Sequence, residues 1–119
     1  MLNAAFIFIA PGADPKRDRG VVETPSVRLT SIGVSTYEEG AAAAAELAEA
    51  GCGAIELCGG FGIRGTNLVE QAENGKARVG AVRFDLHPGL DNKSGDELFC
   101  SFPPGPAPPG GALLRTHII

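Results

Sequence analysis

The chain has 119 residues, a formal net charge of −4 and a pI near 5.1. That length suits one compact domain. The acidic balance, with no basic stripe, argues against nucleic acid as the main partner. No apolar run reaches transmembrane length, which argues against a membrane role.

The N-terminal "MLNAAFIFIAPGA" opens with a continuous apolar run, Ala4–Ile9. It lacks the basic start of a secretion signal and reads as a strand buried on both faces. A polar stretch, "GADPKRDRGVVETP", follows and reads as a long loop or lid. Its cluster Lys16, Arg17 and Arg19 is a solvated charge group. Val27–Val34 is the second strand.

"STYEEGAAAAAELAEAG" is the clearest helix, with Ser35 and Glu38 at capping-box spacing. Tyr37, Ala41, Ala44 and Ala48 share one face, and alanine lets that face sit close to a sheet. Ala54–Cys58 is the third strand. Thr66–Asn74 reads as a second, shorter helix with Thr66 as N-cap and Gly75 as stop. Val79–Phe84 is the fourth strand. "DLHPGLDNKSGDELF" reads as a loop with one helical turn. "PPGPAPPGG" is a polyproline-type linker, and "ALLRTHII" is strand-like.

These elements define an α/β domain over residues 1–102, with a Pro-rich linker and arm over 103–119. The expected core is a small, mostly parallel four-stranded sheet with a βαβαβ order and two main helices. Cys52, Cys58 and Cys100 are odd in number and lack C-x-x-C spacing, which fits reduced thiols in a cytoplasm.

In parallel sheets, ligands bind outside the carboxyl ends of the strands. Four loops should gather there: Ala10–Asp14, Gly33–Ser35, Cys58–Gly62 and Phe84–His87. Glu56 lies in an apolar strand, where a buried carboxylate needs a partner. Arg83 is the expected one. Glu56 is then half of a structural ion pair, or stands on a strand face left open to solvent or to a subunit partner, or is a ligand anchor and general base. Cys58 ends the same strand and is either a nucleophile or a small buried hydrophobe. Gly59, Gly60 and Gly62 of "GGFG" either cradle an anion or make a tight turn with Phe61 as a plug. Asp85 and His87 are either an acid–base pair or turn residues. No ligand spacing indicates a metal, and no motif indicates a cofactor. "NKSG" lacks the features of a phosphate loop.

The runs "AAFIFIAPGADP", "AIELCGGFG" and "VRFDLHPG…KSGDELF" together resemble a small family of uncharacterised bacterial α/β proteins. The resemblance spans roughly the first hundred residues. It implies a compact α/β fold and carries no catalytic residues with it. "AIELCGG" alone is similar to a βα unit of a TIM barrel, at the level of fold only.

The reading is therefore a protein that binds a small, anionic molecule. Glu56, Cys58, Asp85 and His87 are its catalytic candidates; Gly59, Gly60, Gly62 and Arg83 are its binding candidates. The competing reading is a non-catalytic oligomeric structural or sensor module. Two helices cannot cover both faces of a parallel sheet, so a homodimer or higher homo-oligomer is expected. The arm Ala112–Ile119 is expected to dock on a sheet edge, an apolar face or a neighbouring subunit.

Overall fold

The computed structural model describes residues 1–100, so the expected arm and linker lie outside the described residues. Five strands form one sheet: β1 (Leu2–Ile9), β2 (Arg19–Glu23), β3 (Val27–Val34), β4 (Ala54–Leu57) and β5 (Arg78–Ala81). The order across the sheet is β2-β3-β1-β4-β5. β1 runs parallel to both β3 and β4, and β4 runs parallel to β5. β2 alone is antiparallel, folded against β3 as an edge.

Sequence reasoning expected four strands and placed β2 inside a loop. All five of its residues are exposed, so it shows none of the apolar alternation that marks a half-buried strand. A turn holds it to β3. Thr24 Oγ1 accepts from Ser26 N and Val27 N, and Thr24 N donates to the Val27 carbonyl at 2.8 Å.

Helix α1 (Tyr37–Glu49) starts one residue later than the capping pattern suggested. Thr36 is the N-cap and accepts from Glu39 N, while Glu39 Oε1 accepts from Ser35 N and Ser35 Oγ. The expected face is buried: Tyr37, Ala41, Ala44 and Ala48 all lie in the core. Helix α2 runs Ile63–Ala72, three residues earlier than expected at its start, with Gly62 rather than Thr66 as N-cap. After β5, residues 82–100 hold a short 3-10 turn, Pro88–Leu90, and a third helix, α3 (Gly95–Phe99). The "NKSG" serine has a local role here. Ser94 and Glu97 form a complete capping box for α3.

Helices α1 and α2 pack on the same face of the sheet. Ala5, Ile7, Ile32, Val34, Ile55 and Leu57 point to that face and form the core with Tyr37, Ala44, Phe61 and Val69. The connection from β1 to β3 contains β2 but no helix, so among the described residues no helix is laid on the opposite face. That face carries Ala4, Phe6, Phe8, Leu29 and Ala54, all only partly buried, and exposed Glu56. A sequence run that reads as a strand buried on both sides is thus, among the described residues, covered by helices on one.

Candidate functional site

β4 delivers the chain into Cys58–Gly62, at the carboxyl end of the sheet. Cys58 closes the strand with its carbonyl accepting from Phe61 N at 3.0 Å. Its Sγ accepts from Ile9 N and Gly60 N, both at 3.3 Å. The thiol therefore ties the end of β1 to the glycine loop. Phe61 is 1% exposed and plugs the core, stacked on Tyr37 with centroids 5.6 Å apart.

Because α2 begins at once after this loop, its first N–H groups point at the region where an anion was expected. The chain fills that position itself. Asp96 Oδ2 accepts from Arg64 N at 3.1 Å, and Asp96 Oδ1 accepts from Gly65 N at 3.3 Å. Tyr37 Oη accepts from Gly62 N and donates to Asp96 Oδ1, both at 2.8 Å. A carboxylate at a helix N-terminus is favoured by the aligned peptide dipoles. Burial pushes the Tyr37 hydroxyl well above its ordinary pKa, so it stays protonated as the donor to Asp96.

The glycines make this closure possible. A Cβ on Gly95 would lie 1.8 Å from the Gly60 carbonyl oxygen, and one on Gly62 would lie 2.4 Å from Asp96 Cγ. A Cβ on Gly59 would lie 2.1 Å from the Phe84 ring and 3.2 Å from His87 Cδ2. Residues 84–99 thus fold back as a cap over the strand end. His87 Nδ1 accepts from Gly89 N at 3.0 Å, so His87 is the N-cap of the 3-10 turn. Its ring packs against Phe84, with centroids 4.6 Å apart.

Two expectations about charge change. Glu56 is exposed on the uncovered sheet face, so the premise of a buried carboxylate is corrected. Arg83 pairs instead with Asp85, Nε to Oδ1 at 3.0 Å, and both side chains are over two-thirds exposed. The register explains the change: Glu56 lies level with Gly80, and β5 ends at Ala81, before Arg83.

Beside the cap lies a cleft of about 790 Å³, between α2 and residues 81–85. Of the expected site residues it brings together Gly62, Arg83 and Asp85, whereas Glu56, Cys58, Gly59, Gly60 and His87 do not line it. Its apolar lining includes Ile63, Val82 and Phe84, which are 62%, 54% and 40% exposed. Arg64, Asn67 and Gln71 add polar groups from α2. Sequence reasoning missed Arg64 because it started the helix too late; Asn67 and Gln71 lay inside the expected helix but were not assigned to a site. It also missed Tyr37 and Asp96. The signal for Tyr37 was available: a buried tyrosine needs a partner for its hydroxyl. Among the described residues, no group of three or more His, Cys, Asp or Glu side chains is placed to hold a metal ion. No helix among them is long and apolar enough to cross a membrane.

Fold and site together define a small α/β domain. Among the described residues its mostly parallel sheet has helices on one face only, and a cleft of about 790 Å³ lies beyond the end of its last strand. The chain belongs to a family of unknown function, DUF6506, whose model matches residues 2–97. That match takes in the cap through Asp96. No curated protein and no solved structure matches the chain significantly.

Proposed function

We propose that the protein binds a small anionic molecule with an apolar body in the cleft between α2 and residues 81–85. The observation that carries this reading is the cleft itself. Its volume, about 790 Å³, falls in the range of small-molecule sites. Exposed Ile63, Val82 and Phe84 supply an apolar wall that water solvates poorly. Arg64 and Arg83 are the cations of a lining that also holds Glu70, Asp85 and Asp96; Asp96 is engaged with the helix end, and Asn67 and Gln71 supply amides that can fix orientation. Asp85 tethers Arg83, which limits the rotamer entropy that Arg83 would lose on gripping a carboxylate or phosphate. The helix end is not the anion subsite in this reading, because Asp96 satisfies it.

Binding is favoured over catalysis. Cys58 and His87 are engaged in backbone hydrogen bonds under the cap, and neither lines the cleft. A reaction at Cys58, with Asp85 or His87 as acid or base, would need the cap to open. Three free thiols suit a reducing cytoplasm as the place of action. The second reading, an oligomeric module, is favoured by the uncovered sheet face. The two are compatible, since the cleft is built on the helix side at the β5 edge.

The test is a thermal-shift screen of carboxylates, acyl phosphates and sugar phosphates, followed by calorimetry on any hit. A ligand of this cleft should lose at least about tenfold in affinity with Arg83→Ala, the scale of one charge-assisted hydrogen bond. A hit that binds Arg83→Ala and Arg64→Ala as tightly as the unaltered chain would overturn the assignment. So would a screen in which no anion raises the melting temperature.

A further inference from the structure

We infer that the uncovered face of the sheet is a two-fold symmetric interface between two copies of this chain. A mostly parallel sheet is stable only when both faces leave water, and here α1 and α2 occupy one. The loop before β2 reaches only a corner of the other. There Phe8 lies over Gly33, and Ala13 stands nearby. Away from that corner the face stays accessible, with Leu2 49% and Val22 64% exposed.

The occupant follows from the register. Val22, Leu29, Ala4, Ala54 and Arg78 lie in one row across the five strands. Gly20, Ser31, Phe6, Glu56 and Gly80 form the next row on the same face. A two-fold axis lying across the strands at the level of Ala5 and Ile55 sets the first row of one copy against the second row of the other. Val22 then faces Gly20, Leu29 faces Ser31, Phe6 faces Ala4, and Arg78 faces Gly80. On these four strands a bulky side chain meets a small one, which is the condition for two sheets to interlock. The same operation sets Leu2 against Phe8.

Charge is also self-complementary. Glu56 and Arg78 are exposed on this face, and neither is ion-paired among the described residues. Under the proposed axis Arg78 of one copy stands one strand spacing, about 4.8 Å, to the side of the position facing Glu56 of the other. An Arg side chain spans that offset over glycine. Each pair occurs twice by symmetry, and both lie toward the β5 edge, where a polar rim belongs.

The size is adequate. Five strands at about 4.8 Å spacing, by six residue steps at about 3.3 Å, give roughly 500 Å² in projection. The accessible area of a face covered in side chains is larger, and specific interfaces begin at about 600 Å² per partner. No unrelated partner would be expected to match the face row by row, whereas a second copy does so by symmetry.

The experiment is light scattering coupled to size-exclusion chromatography on the full chain at micromolar concentration, with sedimentation equilibrium for the constants. Twice the chain mass is expected. Glu56→Arg and Arg78→Glu should each weaken the dimer at least tenfold, and the double swap should recover most of the loss. Both residues are exposed, so folding should persist, and circular dichroism checks it. Phe6→Asp should give a folded monomer. A monomeric unaltered chain would overturn the inference, as would a dimer indifferent to Phe6→Asp. A double swap no tighter than the single variants would overturn the placement of the axis.

Discussion

Tyr37→Phe removes one oxygen atom and little else. The ring keeps its stacking on Phe61 and its contact with Phe99, whose centroid is 6.0 Å away. Two hydrogen bonds are lost: the one accepted from Gly62 N and the one donated to Asp96. Tyr37 and Gly62 are both buried, so no water can take the hydroxyl's place on Gly62 N without repacking. An unmet buried donor costs about 1–3 kcal/mol. The loss at Asp96 is smaller, because that carboxylate is only half-buried and still accepts from Arg64 N and Gly65 N. The sum is about 2–3 kcal/mol, or a melting temperature lower by roughly 10 °C or more for a domain near this size. Asp96→Asn keeps an acceptor near the tyrosine but removes the charge facing the helix end, for about 1 kcal/mol. Urea denaturation followed by circular dichroism measures both. A midpoint for Tyr37→Phe equal to that of the unaltered chain would refute the reasoning. Asp96→Asn proving the more costly change would show that charge, not the buried bond, holds the cap.

Gly95→Ala should unseat α3, since the added carbon would meet the Gly60 backbone rather than a movable side chain; limited proteolysis should then cut within residues 84–100 that the unaltered chain protects. Glu73→Ala should lower stability by about 1–3 kcal/mol in denaturant titration. It leaves the N–H of buried Ala77 without the carboxylate it donates to. Acid should weaken the fold through two depressed carboxyl groups. Hydrogen bonds from Ser35 backbone and hydroxyl hold Glu39 below its usual value, and Arg17, then the Asp14 backbone, push Asp18 down to about 2. Their stabilisation is present above ordinary carboxylate pKa values and is lost as pH falls toward the folded ones. Melting temperatures should therefore fall from about pH 4 toward pH 2, and less steeply in Glu39→Gln.

The parallel strands and α1 were legible because each has a strong local signature. β1 and β3 are apolar runs bounded by turns, and α1 is an alanine face behind a cap. β2 was not legible, because an exposed antiparallel edge has no buried face to write into its sequence. The start of α2 was misread for a related reason. Gly62 is an N-cap without a side chain, and its helix is capped by Asp96, far away in sequence. A search for local caps finds Thr66 instead, whose hydroxyl in fact donates back to the Gly62 carbonyl within the helix. The candidate site suffered most. Glu56 was expected to pair with Arg83 if buried, and the open strand face weighed beside that pair is where it stands. Of the cleft's α2 lining, Ile63 and Arg64 come into view only with the correct helix start, and the rest needed the position of residues 81–85 beside the helix. Phe61 as a plug and His87 as a turn residue were legible as the plainer of two readings, and the structure places both in those roles.

The self-capping of α2 also bears on the order in which the domain is made. Tyr37 and Asp96 are 59 residues apart, and Gly65 and Asp96 are 31 apart. A nascent chain emerges N-terminus first. Strands β1 to β4 and both large helices are therefore exposed before the residue that closes α2 has been added. Until then Arg64 N and Gly65 N have only water to satisfy them, although Cys58 and Tyr37 are already in place for Gly60 N and Gly62 N. The last segment of the domain to be synthesised is thus the one that locks the earlier ones. Any fragment ending before residue 96 should populate a looser state with α2 frayed at its start, whatever the quality of the sheet beneath it.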